Sequence, residues 1–482
     1  MGKSKSKGCL LITNDLLAAG YLEHISLIKG PLRYWRRTFY YWVKTHYKNI
    51  SDDEINVYLS KYLDDFFGAL KDSGKPYKTD GNLKFQIILA KVRNASHIPE
   101  ETESEIMLSG EKQYGFLSTP NGIVSLSDLP TSGAVTLLPH TQDFWTHRAL
   151  ANLIDLEKDC PIFKSFLRGI LPDEADQKLV QEIFGYSLLP DNRFQKAFIF
   201  VGDGSNGKSV LLLILRLILG HENVASLSLD AIDPARTFTL ALMVNKLVNI
   251  SEDMNEIEKV AEGTFKMMVA GETIVVERKH KDPFPWKVTT KLIFSTNNLP
   301  RFSDKTEGVM RRLVILPFLK KIDEKERRLE FTDPQFWIDT RELPAILGWA
   351  LQGLQRLLLL KQFTTSPNAD SAKLNYRKET NPVSQFFDDY VETLKEAELA
   401  SGELYTAYNG WAKSNGYHAL AASTFTKEVK RRFPTATLGG SARAYQGTRT
   451  RFWTGLKLLP SWDELPTPAE VGAQKEDEFP IG

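Results

Sequence analysis

Phe198-Ile199-Phe200-Val201-Gly202-Asp203-Gly204-Ser205-Asn206-Gly207-Lys208-Ser209 decides how this chain is read. An apolar, β-branched and aromatic run enters a glycine-rich turn that closes on Gly-Lys-Ser, and the leucine-rich stretch Val210 to Leu219 follows at once. This is the P-loop pattern in its strand–loop–helix context. Glycines let successive backbone N–H groups curl around phosphate oxygens, and the helix N-terminus adds its positive dipole end. The pattern implies a nucleoside triphosphate held by Gly202, Asp203, Gly204, Ser205, Asn206, Gly207, Lys208, Ser209 and Val210. Lys208 would reach the β- and γ-phosphates and the Ser209 hydroxyl would hold Mg²⁺.

Further apolar runs downstream end in polar residues, as the strands of a parallel α/β sheet do at the edge where ligands bind. Lys246-Leu247-Val248-Asn249-Ile250-Ser251 runs into Glu252 and Asp253. One of these acids would hold the metal and the other would orient the attacking water. Lys291-Leu292-Ile293-Phe294-Ser295-Thr296 ends in Asn297 and Asn298, and Asn297 is placed to bond the γ-phosphate or its water. Arg311 and Arg312 stand immediately before Leu313-Val314-Ile315-Leu316-Pro317. A guanidinium supplied from a neighbouring subunit would act as an arginine finger, and a sheet-edge salt bridge is the alternative. Between these runs, Thr273 to Val276 leads into Arg278, Lys279, His280 and Lys281 and returns through Pro283-Phe284. That reads as a hairpin projecting a basic tip, suited to gripping a phosphate backbone without reading sequence.

At 482 residues, 42% hydrophobic and 25% charged, the chain has the composition of a multidomain soluble protein. Cys9 and Cys160 lie far apart, which argues for a reducing compartment and against a structural zinc site. Apolar runs stop short of the ~18 residues a membrane span needs, so no membrane partner is expected. Residues 1–190 read as mostly helical. Ser51 caps a helix carrying Ile55, Tyr58, Leu59, Tyr62 and Leu63, another helix covers about Leu83 to Val92, and Asp159 to Leu189 is helical again. Within Leu32 to Lys44, arginines alternate with aromatics. This fits either a two-stranded ribbon or a surface that stacks single-stranded nucleic acid. Asn121-Gly122 marks a turn between short strands, and His140 and His147 read as structural.

The ATPase core spans 191–360, with a lid helix from about Arg341 to Leu360, and 361–381 reads as a linker. Residues 382–460 give two helices and a hairpin, the second helix with a serine cap at Ser423, and suggest a winged helix. Residues 411–460 hold nine Lys or Arg against Glu428 alone, in a chain whose net charge is +1. Lys430, Arg431, Arg432, Arg449 and Arg451 are the expected DNA contacts. Residues 461–482 carry six acids against Lys475, with three prolines, and read as a disordered acidic tail.

The set Gly202 to Ser209, Glu252-Asp253, Ser295 to Pro300 and Arg311-Arg312-Leu313 resembles the superfamily 3 helicases. Among them the poxvirus-type primase-helicases and their phage and plasmid relatives are most similar. The resemblance covers most of residues 30 to 455. It implies a multidomain fold: a mostly helical N-terminal domain, an α/β AAA+-type P-loop ATPase core and a C-terminal winged-helix domain. It further implies a hexameric ring that hydrolyses Mg-ATP at subunit interfaces and moves 3′-to-5′ on single-stranded DNA. Lys279 to Lys281 would sit on the pore hairpin, and Arg312 would be the finger. The helical domain starts almost at Met1, where many relatives carry a primase domain, so priming is expected from a separate primase or polymerase.

The expected activity is that of a replicative DNA helicase of a phage, virus or plasmid-like mobile element. Its cofactors would be ATP and Mg²⁺, its partners single-stranded DNA, a forked duplex and further copies of itself. It would work in the cytoplasm of a bacterial host or an equivalent reducing compartment. An AAA+ initiator or loader that remodels DNA without processive unwinding is the alternative. A small-molecule P-loop kinase would need neither the basic hairpin nor the basic C-terminal domain.

Overall fold

The computed structural model describes residues 10–109, 115–132, 135–252, 260–279, 282–300, 302, 307–445 and 447–459. The chain divides into two compact units. One comprises residues up to 300 together with 312–369, and the other 301–311 together with the residues from 370 on. The expected linker region contains a helix, Pro367–Thr380, through which the chain passes from the first unit to the second. The acidic stretch 461–482 lies outside the described residues.

The amino-terminal region holds more strand than its sequence suggested. Aromatic and β-branched residues fit a pleated, half-buried surface, and the stretch from Leu32 to Lys44 holds the ribbon that its alternation allowed, with a third strand added. Its antiparallel strands are Leu32–Trp35, Thr38–Trp42 and Tyr47–Ile50. Helices Asn14–Lys29, Asp52–Asp72 and Phe85–Ala95 bury Leu17, Tyr21, Ile55, Leu59, Ile88 and Val92 against Phe39 and Ile50 of this ribbon. The helix expected from Ser51 is present with a complete capping box, Ser51 bonding the Glu54 N–H and Glu54 returning the bond. The Asn121-Gly122 turn joins Phe116–Thr119 to Gly122–Ser125, which pairs in turn with Leu137–Leu138.

We number only the strands of the central sheet: β1 (Ala197–Val201), β2 (Val224–Ala225), β3 (Val248–Ser251), β4 (Lys291–Thr296) and β5 (Leu313–Pro317). Their order is β2-β3-β4-β1-β5, and every neighbouring pair is parallel. Almost every residue of β1, β3 and β4 is buried, as strands covered on both faces require. The P-loop strand therefore lies inside the sheet, between β4 and β5.

The region from Asp159 to Leu189 breaks into two helices, Pro161–Ile170 and Glu174–Tyr186, and their buried faces belong to the same hydrophobic core as β1 and the P-loop helix. The expected boundary near residue 190 thus cuts through a core. Glu174–Tyr186 packs on Leu343–Leu360 at close range. A Cβ on Gly185 would sit 2.5 Å from the Ala350 carbonyl oxygen, and one on Gly353 would sit 2.4 Å from that of Gln181. Arg356 and Glu182 pair across this contact at 2.7 Å. Contrary to expectation, Leu343–Leu360 has the length and hydropathy of a membrane span. Its buried positions, from Leu343 to Leu357, instead fill the core of this unit.

The second unit runs helix Pro382–Tyr390, strand Val391–Ala400, helices Ser401–Ser414 and Ala422–Arg432, then strand Thr437–Leu438. The hairpin Arg443–Tyr445/Thr448–Thr450 and strand Phe452–Leu458 complete it. The last strand lies between the other two in a three-stranded antiparallel sheet. Phe386, Phe387, Tyr408, Trp411, Phe425 and Trp453 form its core. The second helix starts one residue before the expected serine cap, with Ala421 at its N-cap and no side-chain cap bond.

Candidate nucleotide site and basic hairpin

The loop after β1 makes its turn through left-handed backbone at Gly204 (φ 94°), Ser205 (φ 51°) and Gly207 (φ 84°). Gly207 is the N-cap of the helix Lys208–Leu219. Its conformation disfavours any side chain, and a Cβ there would lie 2.6 Å from Ile170 Cγ2. Asn206 is buried and holds the loop in two directions, donating from Nδ2 to the Phe318 carbonyl at 3.2 Å and accepting from Lys208 Nζ at 3.0 Å. Lys208 Nζ also donates to the Gly202 carbonyl at 2.6 Å. Ser209 is exposed on the first turn of the helix. Backbone N–H groups at a helix N-terminus, a lysine tethered to the loop and an exposed hydroxyl suit a bound polyphosphate and its metal.

The sheet register brings other expected residues to the same edge. Val201 pairs with Thr296, so Asn297 follows directly beside the start of the loop, where it is exposed. Ser251 pairs with Phe294, and Glu252 leaves the end of β3 on the far side of β4. Glu252 has a partner that the sequence did not predict. Arg216, on the P-loop helix, lies 3.7 Å from its carboxylate and donates to the Ile250 carbonyl at 2.9 Å and to Ser226 Oγ at 3.0 Å. Asp253 lies outside the described residues. Arg216 falls inside the leucine-rich stretch Val210 to Leu219, where nothing in the pattern marks it.

Beside the loop opens a cavity of about 660 Å³. Ser205, Gly207 and Val210 form one wall, and Ile162, Phe166 and Phe331 stand among the apolar residues of the others. The guanidinium of Arg328, also in the lining, stacks 4.4 Å from the centroid of Phe331 and pairs with Glu330 at 2.8 Å. Phe166 and Ile170 lie in the expected helical stretch Asp159 to Leu189, which gave no signal that it borders the loop.

Arg312 stands at the opposite edge. Its carbonyl accepts from Ala197 N–H at 2.8 Å, at the start of β1, and its side chain is buried. The four steps from Ala197 to Val201 cover ~13 Å at ~3.3 Å per residue, beyond the reach of an arginine in the same chain. Arg311, which precedes it, is exposed.

The expected hairpin is present as Thr273–Val276 paired with Phe284–Lys287. Its basic residues differ in their setting. Lys279 is exposed, but Arg278 does not project: it lies back over the Phe284 ring at 5.2 Å. There its charge opposes the rise that burial imposes on the Tyr40 hydroxyl. His280 and Lys281 lie outside the described residues. The hairpin is fastened to the ribbon turn by an ion pair between Asp282 and Arg37, and to the loop before Ile106 by one at 3.0 Å between Lys287 and Glu103. The ribbon turn is Arg36-Arg37, with φ of 45° and 58°. Such left-handed turns ordinarily take Asn or Gly. Behind it, His147 is enclosed by Trp35, Tyr40 and Trp145, and burial pushes its imidazole down to about 3.

The C-terminal cations also divide. Arg431 pairs with Glu428 at 2.6 Å and Arg432 with Asp388 at 2.6 Å, whereas Lys430 and Arg449 are exposed with no acidic partner among the described residues, as is Arg451.

Comparison with known proteins agrees with this architecture. Residues 200–312 match a family of unknown function (DUF5906), and residues 378–457 match the family described as poxvirus D5 protein-like. The chain is 24% identical over 297 residues to "Putative helicase L207/L206" of Acanthamoeba polyphaga mimivirus, covering 54% of this chain and 30% of that protein. It is 20% identical over 318 residues to "Putative helicase 121R" of Invertebrate iridescent virus 3, covering 59% and 34%. The chain thus spans about a third of the length of these relatives. The solved structure titled the A form apo structure of NrS-1 C terminal region superposes with a TM-score of 0.50 at 12% identity, over 90% of this chain and 98% of that one. The fold is shared with that structure, and the sequence similarity is to helicase-like proteins of large DNA viruses.

Proposed function

We propose that this chain is the motor part of an ATP-dependent replicative DNA helicase, with an AAA+-type core of the superfamily 3 kind. The observation that carries the reading is the split of the expected site between two sheet edges. Lys208, Ser209, Glu252 and Asn297 gather at the carboxyl ends of the strands, and Arg311 and Arg312 stand before β5 at the amino ends. A site completed by a guanidinium then takes it from a second copy, which is the arrangement of a ring hydrolysing ATP at its interfaces. Exposure favours Arg311 for this contact, and the buried Arg312 would position it.

ATP would lie with its phosphates on the P-loop and its base in the cavity bordered by Phe166 and Phe331. Ser209 and Glu252, with Asp253, would hold Mg²⁺, which when bound neutralises charge on the phosphate oxygens. Lys208 would turn from the Gly202 carbonyl to the phosphates, and Asn297 would bond the attacking water. Lys279, with His280 and Lys281, would contact single-stranded DNA at the hairpin. The second unit, read as a winged helix, would meet the forked duplex through Lys430, Arg449 and Arg451. The names given to the viral relatives support this reading. A separate primase or polymerase would be its partner, and a bacterial cytoplasm or comparable reducing compartment would suit the thiols.

The test is ATP turnover with and without single-stranded DNA, followed by strand displacement on a 3′-tailed duplex. Lys208→Ala should abolish turnover without altering the fold, and retained turnover would sink the site. DNA-stimulated turnover without displacement would favour the initiator or loader reading.

A further inference from the structure

Where the amino-terminal ribbon meets the hairpin, the two elements bring together more positive charge than they neutralise. The ribbon turn supplies Arg36 and the hairpin supplies Arg278. Both guanidinia lie against one ring, Arg278 at 5.2 Å and Arg36 at 5.8 Å from the centroid of Phe284. The Tyr40 hydroxyl meets the same two groups, whose charges both oppose the rise that burial imposes on it. Burial pushes the Arg36 guanidinium below its ordinary value, and the Arg278 charge pushes it further.

The acids in reach do not pair with either arginine. Asp282 is held by Arg37 and Glu103 by Lys287. Glu100 and Glu103 offset part of the charge on Arg36 from a distance, but Glu100 bonds it only through its backbone carbonyl, which accepts from Nε at 2.9 Å. Arg36 and Arg278 are both half-buried and form no ion pair among the described residues. Like charges gathered away from water without a counter-charge are costly.

Arg36 is also oriented. Its guanidinium lies 4.2 Å from the centroid of the Trp35 ring. A guanidinium stacked by its face keeps its donors in the plane, and here only Nε is used, so the Nη1 and Nη2 edge has no hydrogen-bond partner among the described residues. The backbone holds this residue at φ 45°, in a turn that ordinarily takes Asn or Gly. Turn formation alone does not call for arginine there, and strain of this kind gathers at ligand clamps. A carboxylate would satisfy one guanidinium fork, whereas two forks and a hydroxyl match the several oxygens of a phosphate.

We propose that Arg36 and Arg278 form a clamp for one phosphate group, which on the DNA-binding reading above is a backbone phosphodiester of the single strand held at the hairpin. The Tyr40 hydroxyl would add a third bond. The inference rests on that reading and extends it, because the clamp makes the amino-terminal ribbon part of the DNA track.

The test uses the full chain and two probes: oligothymidylate, in the presence of a non-hydrolysable ATP analogue, and inorganic phosphate alone. Arg36→Gln and Arg278→Gln should each weaken oligothymidylate about 10-fold, the scale of a hydrogen bond to a charged group. The double variant should lose little more affinity, since both arms hold one phosphate, and its slope of log affinity against log salt should fall by about 0.7. Arg37→Gln should stay within about 2-fold, because that exposed charge is already paired with Asp282. Inorganic phosphate should raise the thermal midpoint saturably, and by less in both single variants than in the wild type. The P-loop share of that rise is common to all of them. Arg278→Gln leaves the Trp35 stack intact and keeps the test decisive if Arg36→Gln fails to fold. Variants that match the wild type with both probes, or Arg37→Gln as costly as Arg36→Gln, overturn the clamp even if the chain binds DNA. A phosphate response reduced in both variants of a chain that binds no oligothymidylate upholds the clamp and refutes the DNA-binding reading.

Discussion

If the nucleotide site is shared between copies, two inactive variants should restore each other. Lys208→Ala removes the P-loop lysine and keeps both arginines, while Arg311→Ala keeps the P-loop and removes the exposed guanidinium. Within one chain, β5 starts level with Ala197, and the loop begins after Val201, ~13 Å along the sheet at ~3.3 Å per residue. Neither variant can therefore repair its own site. In an equimolar mixed ring with head-to-tail interfaces, half the subunits bring an intact P-loop and half the adjacent subunits bring an intact arginine. About one interface in four is then complete, and turnover should recover to about a quarter of the wild-type rate. The assay is steady-state ATP hydrolysis after mixing and re-equilibration, as a function of mixing ratio. The curve should peak near equal amounts and fall to zero at both ends. Arg312→Lys belongs in the same series, because the buried Arg312 tolerates truncation poorly. Mixtures that never exceed the sum of their parents would refute the shared site, and so would an Arg311, Arg312 double variant that keeps full activity.

Other consequences can be measured separately. The unfolded chain takes up a proton on His147 below pH 6.5, whereas the folded chain refuses it until about 3. Stability should therefore fall as pH drops through this window, by about 2 kcal/mol at pH 5. Urea midpoints should show this slope and lose it in His147→Phe, and an unchanged slope would exclude the histidine. Gly207→Ala adds the cost of left-handed backbone, about 1–2 kcal/mol, to a clash with Ile170. Calorimetric titration should show ATP bound about 10-fold more weakly, an effect that undiminished binding would contradict. Lys430→Ala should lower the slope of log affinity against log salt for duplex DNA by about 0.9. Arg432→Ala should lower it less, since its partner Asp388 already holds that charge, and equal effects would argue against the distinction.

What the sequence made legible was local. The P-loop, the polar residues ending β3 and β4, and the Ser51 capping box each lie within a dozen consecutive residues, where pattern and spacing act directly. In the amino-terminal ribbon the alternation within Leu32 to Lys44 allowed two strands, and the third, Tyr47–Ile50, lies outside that pattern. Arg216 and Glu252 are 36 positions apart in sequence and meet only because β3 lies beside the P-loop helix. Arg278 shows the limit most plainly. A basic residue at a hairpin tip reads as solvated, and only the Phe284 ring and the Tyr40 hydroxyl draw it back. The division of the C-terminal cations into paired and open sets likewise depends on Asp388 and Glu428, which charge counting sums over without placing.

Strands β3 and β4 join the nucleotide edge to the base of the hairpin. β3 follows Lys246 and leads to Glu252 at the nucleotide edge, and β4 follows Thr289 and leads to Asn297. Arg148 ties their amino ends together through the Lys246 carbonyl and Thr289 Oγ1. Lys291, buried at the start of β4, adds a bond to the Thr289 carbonyl at 2.9 Å. Between the ends, both strands are buried, so a displacement at one edge has little room to dissipate. On the proposed reading, the contacts that report the state of the phosphates stand at one end of these two segments, and the hairpin that would meet DNA returns into β4 at the other. The hairpin then need not move far to do work. A shift of β4 past β3, driven at Asn297, would reach Thr289, two residues after the hairpin strand Phe284–Lys287 ends.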